Sequence, residues 1–543
     1  MKALASDGWR LAAAAGVGTL WAASFPRLDM AAFAWLVPGA LLLLVTGAQP
    51  GLAFRTAYVA GAVHYAISLS WLRYIPFPAG AYAGWVALSL FLALFPPLWV
   101  LAVTTCGRRL GVLGAEPCPP RQWAVHLRGI SAWRLQGWCL TAAAAWVAWE
   151  MLLARLFGGF PWNLLGASQY RILPLVQTAS IAGVYGISFL VVWFSSALAI
   201  ALLLLVRYPG QRTLWYGTLA PPGLAVLVAC VAGFAALRAP PPPSRLAVAM
   251  VQPSIPQTVI FDPAESANRF EALLDLTRQA VAFQPNLIVW PEASLPGGLG
   301  PDDFERLIEV VRSARVWMIF GADDSEEDPD PAANGAVRYY NAAFLVNPDG
   351  QVLAFYRKRR LVMFGEYIPF GRWLPFLRRL APIGDGFQPG NAPVRFPLAD
   401  LNATTSVLIC FEDNFPQQAR QHAEEGVDFL LNLTNNAWFG ESAAQWQHMA
   451  NAVFRAIETG LPLVRCSNNG ITCWIDPHGR IHASRLTRGD DVYRAGVEIA
   501  SIGWSNGPAT PYRRFGDLFG WLCVAVTAIG VGRPRFPRHS PPR

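Results

Sequence analysis

Three residue types in this chain, each at the end of an apolar run, could together carry out nucleophilic chemistry. Cys410 ends "TSVLIC" (405–410), Lys358 ends "NAAFLVNPDGQVLAFYRK" (341–358), and Glu292 follows "NLIVW" (286–290) after a single proline. A thiol with a pKa near 8.5 is mostly protonated at neutral pH, so a cysteine nucleophile needs a base or a cation beside it. A carboxylate and an ammonium supply those two needs. The ordinary alternative makes Cys410 a core residue, since free cysteine is among the most buried types, and leaves Glu292 and Lys358 on the surface. Three reactive types at three strand ends form a more specific pattern than any one of them.

The elements that must position these residues can be read from the apolar runs. Strands are expected at 246–252, 286–290, 316–322, 405–410, 428–434, 461–467 and 472–483, and helices at 264–282, 302–314 and 444–459. Residues 341–358 read as a hairpin turning at Asn347-Pro348-Asp349-Gly350. Alternating strands and helices predict a layered α/β fold, in which chemistry collects at the carboxyl ends of strands.

The chain around this domain is apolar. Of 543 residues, 54% are hydrophobic and 14% charged, against about 25% charged in soluble domains. Residues 1–238 are almost continuously apolar, 245–505 resemble an ordinary globular domain, and 514–532 form a last apolar segment before a basic tail at 533–543. About 20 residues cross the hydrocarbon of a bilayer. Seven transmembrane helices are therefore expected at 8–24, 31–48, 52–72, 81–105, 138–157, 177–206 and 214–237, and an eighth at 514–532. "WAASFP" (21–26) resembles a signal-peptidase site, but further apolar runs follow, so the first segment reads as a retained helix.

Basic residues set the orientation. Lys2, Arg10, Arg108, Arg109, Arg121, Arg128, Arg134, Arg207 and Arg212 fall on one side, whereas the short loops of the other side hold only Arg27, Arg73 and Arg171. The arginine-rich side is cytoplasmic by the positive-inside rule, which places 245–505 outside the cytoplasm. The net charge of +8 is then a topology signal, and nothing points to nucleic acid. The eight cysteines match no zinc spacing. Cys466 and Cys473 could pair outside the cytoplasm, but two buried thiols on adjacent strands are expected instead.

Four stretches carry a resemblance: "WPEASLP" (290–296), "YRKRRLVMFGEYIPFG" (356–371), "SVLICFEDNFP" (406–416) and "LLNLTNNAWFG" (430–440). They resemble the nitrilase superfamily, which uses a Glu-Lys-Cys triad on an αββα sandwich. The apolar flanks, with "VQPSIPQ" (251–257), "GGFPWNLLG" (158–166) and "RAIETGLPLVRCSNNGIT" (455–472), narrow it to the apolipoprotein N-acyltransferase family. The resemblance implies Glu292 as general base, Lys358 as electrostatic stabiliser and Cys410 as nucleophile, with no metal or cofactor. It gives Glu366 a role in orienting the lysine; the alternative is a loop carboxylate paired with Arg357, Arg359 or Arg360. Glu412 supports the site, pointing the same way as Cys410 if both lie on a strand. Phe411 offers a backbone N–H to an oxyanion and a ring without the family's frequent hydroxyl. Asn341 fits a family asparagine, or simply starts a hairpin. Asn436 stands where the family usually has aspartate, and Phe261 where it often has tryptophan. Arg455 and Glu458 read as an ion pair on one helix, and His448 as structural.

The implied partners are a phospholipid acyl donor, a diacylated apolipoprotein acceptor and membrane lipids, served by a monomer in the bacterial inner membrane with its catalytic domain facing the periplasm. Residues 367–384 set Phe370, Trp373 and Phe376 beside Arg372, Arg378 and Arg379, which reads as a lid dipping into lipid. The alternative activity is a membrane-tethered amidase or nitrilase-type hydrolase. A non-catalytic transporter-like bundle is disfavoured because the apolar runs hold few ionisable residues besides Glu150.

Overall fold

The computed structural model describes residues 2–114, 120–240, 242–260, 262–298, 300–328, 337–371, 373, 376, 383, 386–483, 492–505 and 507–532. The chain divides into two compact units, one comprising residues 1–70, 86–235 and 517–543 and the other 71–85 and 236–516.

The first unit is helical. Each apolar run contains a helix, and fewer than eight of these stand out by both length and composition among the described residues. Three helical stretches, Pro78–Arg109, Ala179–Arg207 and Arg212–Leu237, are long and apolar enough to cross a membrane, and Ala31–Val45 and Leu518–Gly532 are shorter apolar helices. Helix Lys2–Ala23 dilutes its apolar character with Lys2, Asp7 and Arg10. Glu150 is fully buried in helix Ala132–Leu153. Its Oε1 accepts from Trp146 Nε1 at 3.0 Å and from the Leu165 backbone N–H at 2.8 Å. It therefore anchors the "GGFPWNLLG" segment, whose irregular backbone, with Gly158 and Gly159 at φ 84°, needs partners inside the protein.

The second unit carries Glu292, Lys358 and Cys410. Its strands are β1 (Leu246–Gln252), β2 (Leu287–Val289), β3 (Trp317–Glu327), β4 (Val337–Val346), β5 (Val352–Arg357), β6 (Arg395–Leu398), β7 (Ala403–Ile409), β8 (Phe429–Thr434), β9 (Leu463–Ser467), β10 (Cys473–Ile475), β11 (Ile481–Ala483) and β12 (Gly496–Ile502). They form two six-stranded sheets, ordered β12-β1-β2-β3-β4-β5 and β11-β10-β9-β8-β7-β6. In each, three central strands are parallel: β1, β2 and β3 in one, β7, β8 and β9 in the other.

Side chains alternate across a strand, and the alternation builds the layers. Val248, Met250, Leu287 and Val289 meet Val407, Ile409, Leu431 and Leu433 between the sheets. Ala249, Val251, Ile288 and Trp290 face the other way, onto helices Ser266–Val281 and Pro301–Ala314. Helix Ala444–Thr459, buried along its length, covers the second sheet and ends at Gly460, whose φ of 70° suits glycine. The order is helix, sheet, sheet, helix. The Asn347–Gly350 turn forms as its residues dictate: Asn347 Oδ1 accepts from Asp349 and Gln351 N–H, and Gly350 sits at φ 81°.

Several elements differ from the sequence reading. Residues 472–483 are not one strand but the hairpin of β10 and β11. Strands β6 and β12 and helix Pro416–His422 were not anticipated. Cys466 and Cys473 are both free and buried. Cys473 lies opposite Arg465 in the β9–β10 ladder, so alternation sends the two thiols to opposite faces of the sheet.

Candidate active site

Alternation also delivers the lysine. Lys358 lies two residues beyond the inward Tyr356, and Asn341 two before the inward Ala343, so both face the gap between the sheets. Glu292 leaves the end of β2 on a segment lying directly against β3. A Cβ on Gly321 would come within 2.5 Å of the Pro291 carbonyl oxygen and 2.9 Å of Glu292 Cα, so only glycine lets that segment sit there. Lys358 Nζ then stands 2.9 Å from Glu292 Oε1 and 2.8 Å from Glu366 Oε1. Asn341 Nδ2 donates to the same two oxygens at 2.8 and 2.9 Å. The Asn435 backbone N–H donates to Glu292 Oε2 at 2.9 Å, and that of Val362 to Glu366 Oε2 at 2.8 Å. Glu366 thus pairs with the lysine.

The charges do not balance: one buried ammonium, 1% exposed, faces two carboxylates. Burial opposes the charge of Lys358, but Glu292 and Glu366 outweigh it and hold the lysine well above its ordinary range. Burial pushes the Cys410 thiol up, Glu292 adds to the shift and Lys358 opposes it, leaving the thiol at about 12. At neutral pH the thiolate fraction is then on the order of 10⁻⁵. The resting cysteine is a thiol.

Cys410 itself sits at φ 51°, a left-handed conformation that costs a non-glycine residue about 1–3 kcal/mol. It begins a 3-10 turn, Cys410–Asn414, rather than continuing β7. This corrects the expected direction of Glu412: the turn swings it beneath the strand end instead of beside the cysteine. There Glu412, fully buried, accepts from the Ile409 N–H at 2.8 Å, the Arg359 N–H at 2.7 Å, the Arg360 N–H at 3.1 Å and the Tyr356 hydroxyl at 2.8 Å. One carboxylate thereby fastens the segment after Lys358 to the residue before Cys410. Phe411 packs edge-on against Phe415, with centroids 5.0 Å apart.

The sequence singled out Glu292, Lys358, Glu366 and Asn341, and the fold joins them by hydrogen bonds, with Cys410 in their electrostatic field. Arg455 and Glu458 pair as expected, Nε to Oε2 at 2.8 Å. Phe370, Trp373 and Phe376 take no part in the cluster and are 64%, 83% and 59% exposed. Phe261 and the arginines at 372, 378 and 379 lie outside the described residues. Sequence reasoning missed Asn435, whose backbone N–H reaches Glu292; its signal was its place at the end of the β8 run.

Residues 247–503 match the family described as carbon-nitrogen hydrolase, and residues 17–197 match the apolipoprotein N-acyltransferase N-terminal domain. The apolipoprotein N-acyltransferase of Geobacter metallireducens is 34% identical over 537 residues, which cover 96% of this chain and 94% of that protein. The chain belongs to the apolipoprotein N-acyltransferase family. The apolipoprotein N-acyltransferase of Bradyrhizobium diazoefficiens is 32% identical over 417 residues, 74% of each chain. Among solved structures, an amidase from Nesterenkonia sp. is similar at 18% identity and a TM-score of 0.35, covering 48% of this chain and 91% of that one. Family membership makes the chain a nitrilase-superfamily enzyme, and the carbon-nitrogen hydrolase match spans Glu292, Lys358, Glu366 and Cys410.

Proposed function

We propose that this chain moves an acyl chain from a phospholipid, through a thioester on Cys410, to the N-terminal amine of a diacylglyceryl-cysteine. The observation that carries the residue assignment is the buried Lys358 held between Glu292 and Glu366 beside a neutral thiol.

In the first half-reaction Cys410 Sγ attacks the ester carbonyl and its proton passes to Glu292. Lys358 stabilises the thiolate and then the oxyanion, with the Phe411 backbone N–H as a further donor; one such donor is typically worth roughly 3 kcal/mol. The ester C–O bond breaks, the proton on Glu292 goes to the departing oxygen, and a lysophospholipid leaves. In the second half-reaction the acceptor amine attacks the thioester, loses its proton to Glu292 and releases the thiolate, which is reprotonated. Glu366 and Asn341 keep Lys358 and Glu292 in register, and Glu412 holds the lysine and cysteine segments together. One nucleophile thus divides a difficult transfer into two steps.

Both substrates are lipids, which accounts for the apolar helices of the first unit. The proposal places the chain in the inner membrane with eight crossings, the 245–505 region facing the periplasm, and the exposed rings of Phe370, Trp373 and Phe376 against lipid. The test is transfer from labelled phosphatidylethanolamine to a diacylglyceryl-cysteine peptide in vesicles. N-acylated peptide that disappears with Cys410→Ser supports the reading. Release of free fatty acid without peptide acylation supports a hydrolase, and activity retained in Cys410→Ser overturns the assignment.

A further inference from the structure

Beneath Cys410 lies a closed ring of buried hydrogen bonds that the acyl-transfer chemistry does not use directly. The Cys410 carbonyl accepts from Asn432 Nδ2 at 3.0 Å and from His448 Nε2 at 3.2 Å. Asn432 Oδ1 accepts from Arg465 at 2.9 Å, and the same guanidinium nitrogen donates to Asp413 Oδ2 at 2.6 Å. Asp413 Oδ1 lies 2.7 Å from His448 Nε2, which closes the ring. Asn432, Arg465 and Asp413 are 0% exposed and His448 is 1% exposed. The ring draws on β8, β9, helix Ala444–Thr459 and the turn that bears the nucleophile. A non-glycine residue persists in the left-handed region only where its surroundings over-determine it, and the ring grips the carbonyl of that strained residue.

The ring fixes its own hydrogen-bond polarity. Both neighbours of His448 Nε2, a carboxylate oxygen and a carbonyl oxygen, are acceptors, so Nε2 carries the proton. The charged groups facing the imidazole are Asp413 from the turn and Arg465 from β9. On its own helix, Arg455 is paired with Glu458. Arg465 already neutralises Asp413, so an imidazolium would be a second buried cation on one carboxylate, which burial disfavours. The neutral ring then has a bare Nδ1, which needs a donor. Asn436 is 3.1 Å away. With its oxygen turned to the ring, the Asn436 amide nitrogen is buried without a partner. The isosteric reversed amide satisfies both, giving Nδ1 a donor and the amide nitrogen an acceptor.

We propose that this ring is the positioning device of the Cys410 elbow, with His448 as a positioning residue in its Nε2–H form and Asn436 selecting that form by donating to Nδ1. The inference rests on Cys410 being the acylated residue, but its readouts separate from that reading. Three variants of the full-length enzyme test it: His448→Ala, His448→Gln and Asn436→Asp. Glutamine retains a donor near the Nε2 position. His448→Ala should lower kcat for Cys410 acylation by about tenfold to a hundredfold, the scale of a small misplacement of reacting groups, with KM for phosphatidylethanolamine unchanged. His448→Gln should recover most of that loss. Alkylation of Cys410 by iodoacetamide should slow and recover in parallel, and it needs no lipid substrate.

Asn436→Asp replaces the donor with a carboxylate, which demands a proton on Nδ1 and so an imidazolium. The His448 signal, identified in a histidine-labelled NMR spectrum by its absence from His448→Gln, should titrate at least about one pH unit higher, the shift an adjacent opposite charge commonly gives. An unchanged titration overturns the assigned polarity. His448→Gln as slow as His448→Ala, or KM rising in step with the fall in kcat, overturns the positioning role. If His448→Ala does not fold, the glutamine and aspartate variants still decide. Failure of the wild-type enzyme to take an acyl group from phospholipid would sink the functional reading instead, while alkylation and titration would still test the ring.

Discussion

Glu412→Gln tests the claim that one buried carboxylate couples the lysine and cysteine segments. Three backbone N–H groups converge on it, from Ile409, Arg359 and Arg360, together with the Tyr356 hydroxyl. Glutamine fills the same space but turns one oxygen into a donor. Its least damaging orientation puts the NH₂ at the Oε2 position, where the Tyr356 hydroxyl can rotate to accept but the Ile409 N–H cannot. One orphaned buried donor costs about 1–3 kcal/mol. Burial holds the Glu412 carboxyl above its usual range, so removing the charge returns part of that cost. The expected net is about 1–2 kcal/mol, or a fall in Tm of about 2–8 °C for a domain of this size. The activity effect should be larger, because the Ile409 N–H lies one residue from Cys410, the proposed nucleophile. A small shift between Lys358 and Cys410 should lower kcat for acylation about tenfold to a hundredfold, with KM nearly unchanged. Differential scanning fluorimetry and single-turnover acylation measure the two. Wild-type acylation rates in a folded Glu412→Gln protein would refute the coupling.

Lys358→Met leaves two buried carboxylates facing each other. Breaking a buried pair in this way typically costs about 3–5 kcal/mol, and acyl transfer should fall below detection in a direct transfer assay. Asp323, half-buried near Glu292 and Glu366, has a carboxyl raised from 3.8 to about 6, chiefly by that partial burial. A raised carboxyl contributes stability that is fully present below its unfolded value near 3.8 and is lost as pH rises through 6. Asp323→Asn should therefore raise thermal stability at pH 8, by up to about 3 kcal/mol, and change it little near pH 3.5; a gain independent of pH would contradict the cause given. Trp373→Ser with Phe376→Ser should slow turnover of phospholipid in vesicles while leaving Cys410 alkylation unchanged, and unchanged vesicle kinetics would sink the lipid-contact role.

The sandwich was legible because apolar runs such as "LAVAMVQ" and "DFLLNLT" are buried on both faces, and strands of that kind announce themselves by composition. Strand β6 was not legible because it is short and carries Pro397, and β12 because "GVEIASI" mixes polar and apolar positions. The reactive cluster was visible as three strand-end residues, since each needed only its own run to be found. The direction of Glu412 was misread because the left-handed Cys410 breaks the strand's two-residue period just before it. The ring under Cys410 could not be read at all: Asp413, Asn432, His448 and Arg465 meet only once two parallel strands, a turn and a covering helix are in place. In the apolar region, composition marked where helices form, and among the described residues three helical stretches are both long and apolar enough to cross a membrane.

The central claim is that Cys410 carries the acyl group. Intact-protein and peptide mass spectrometry after brief incubation with phosphatidylethanolamine, without acceptor, tests it most directly. The account predicts one acyl chain on the Cys410 peptide, released by neutral hydroxylamine and absent from Glu292→Gln and Lys358→Met. Acylation at another residue, or full transfer activity with no adduct at Cys410, would contradict it.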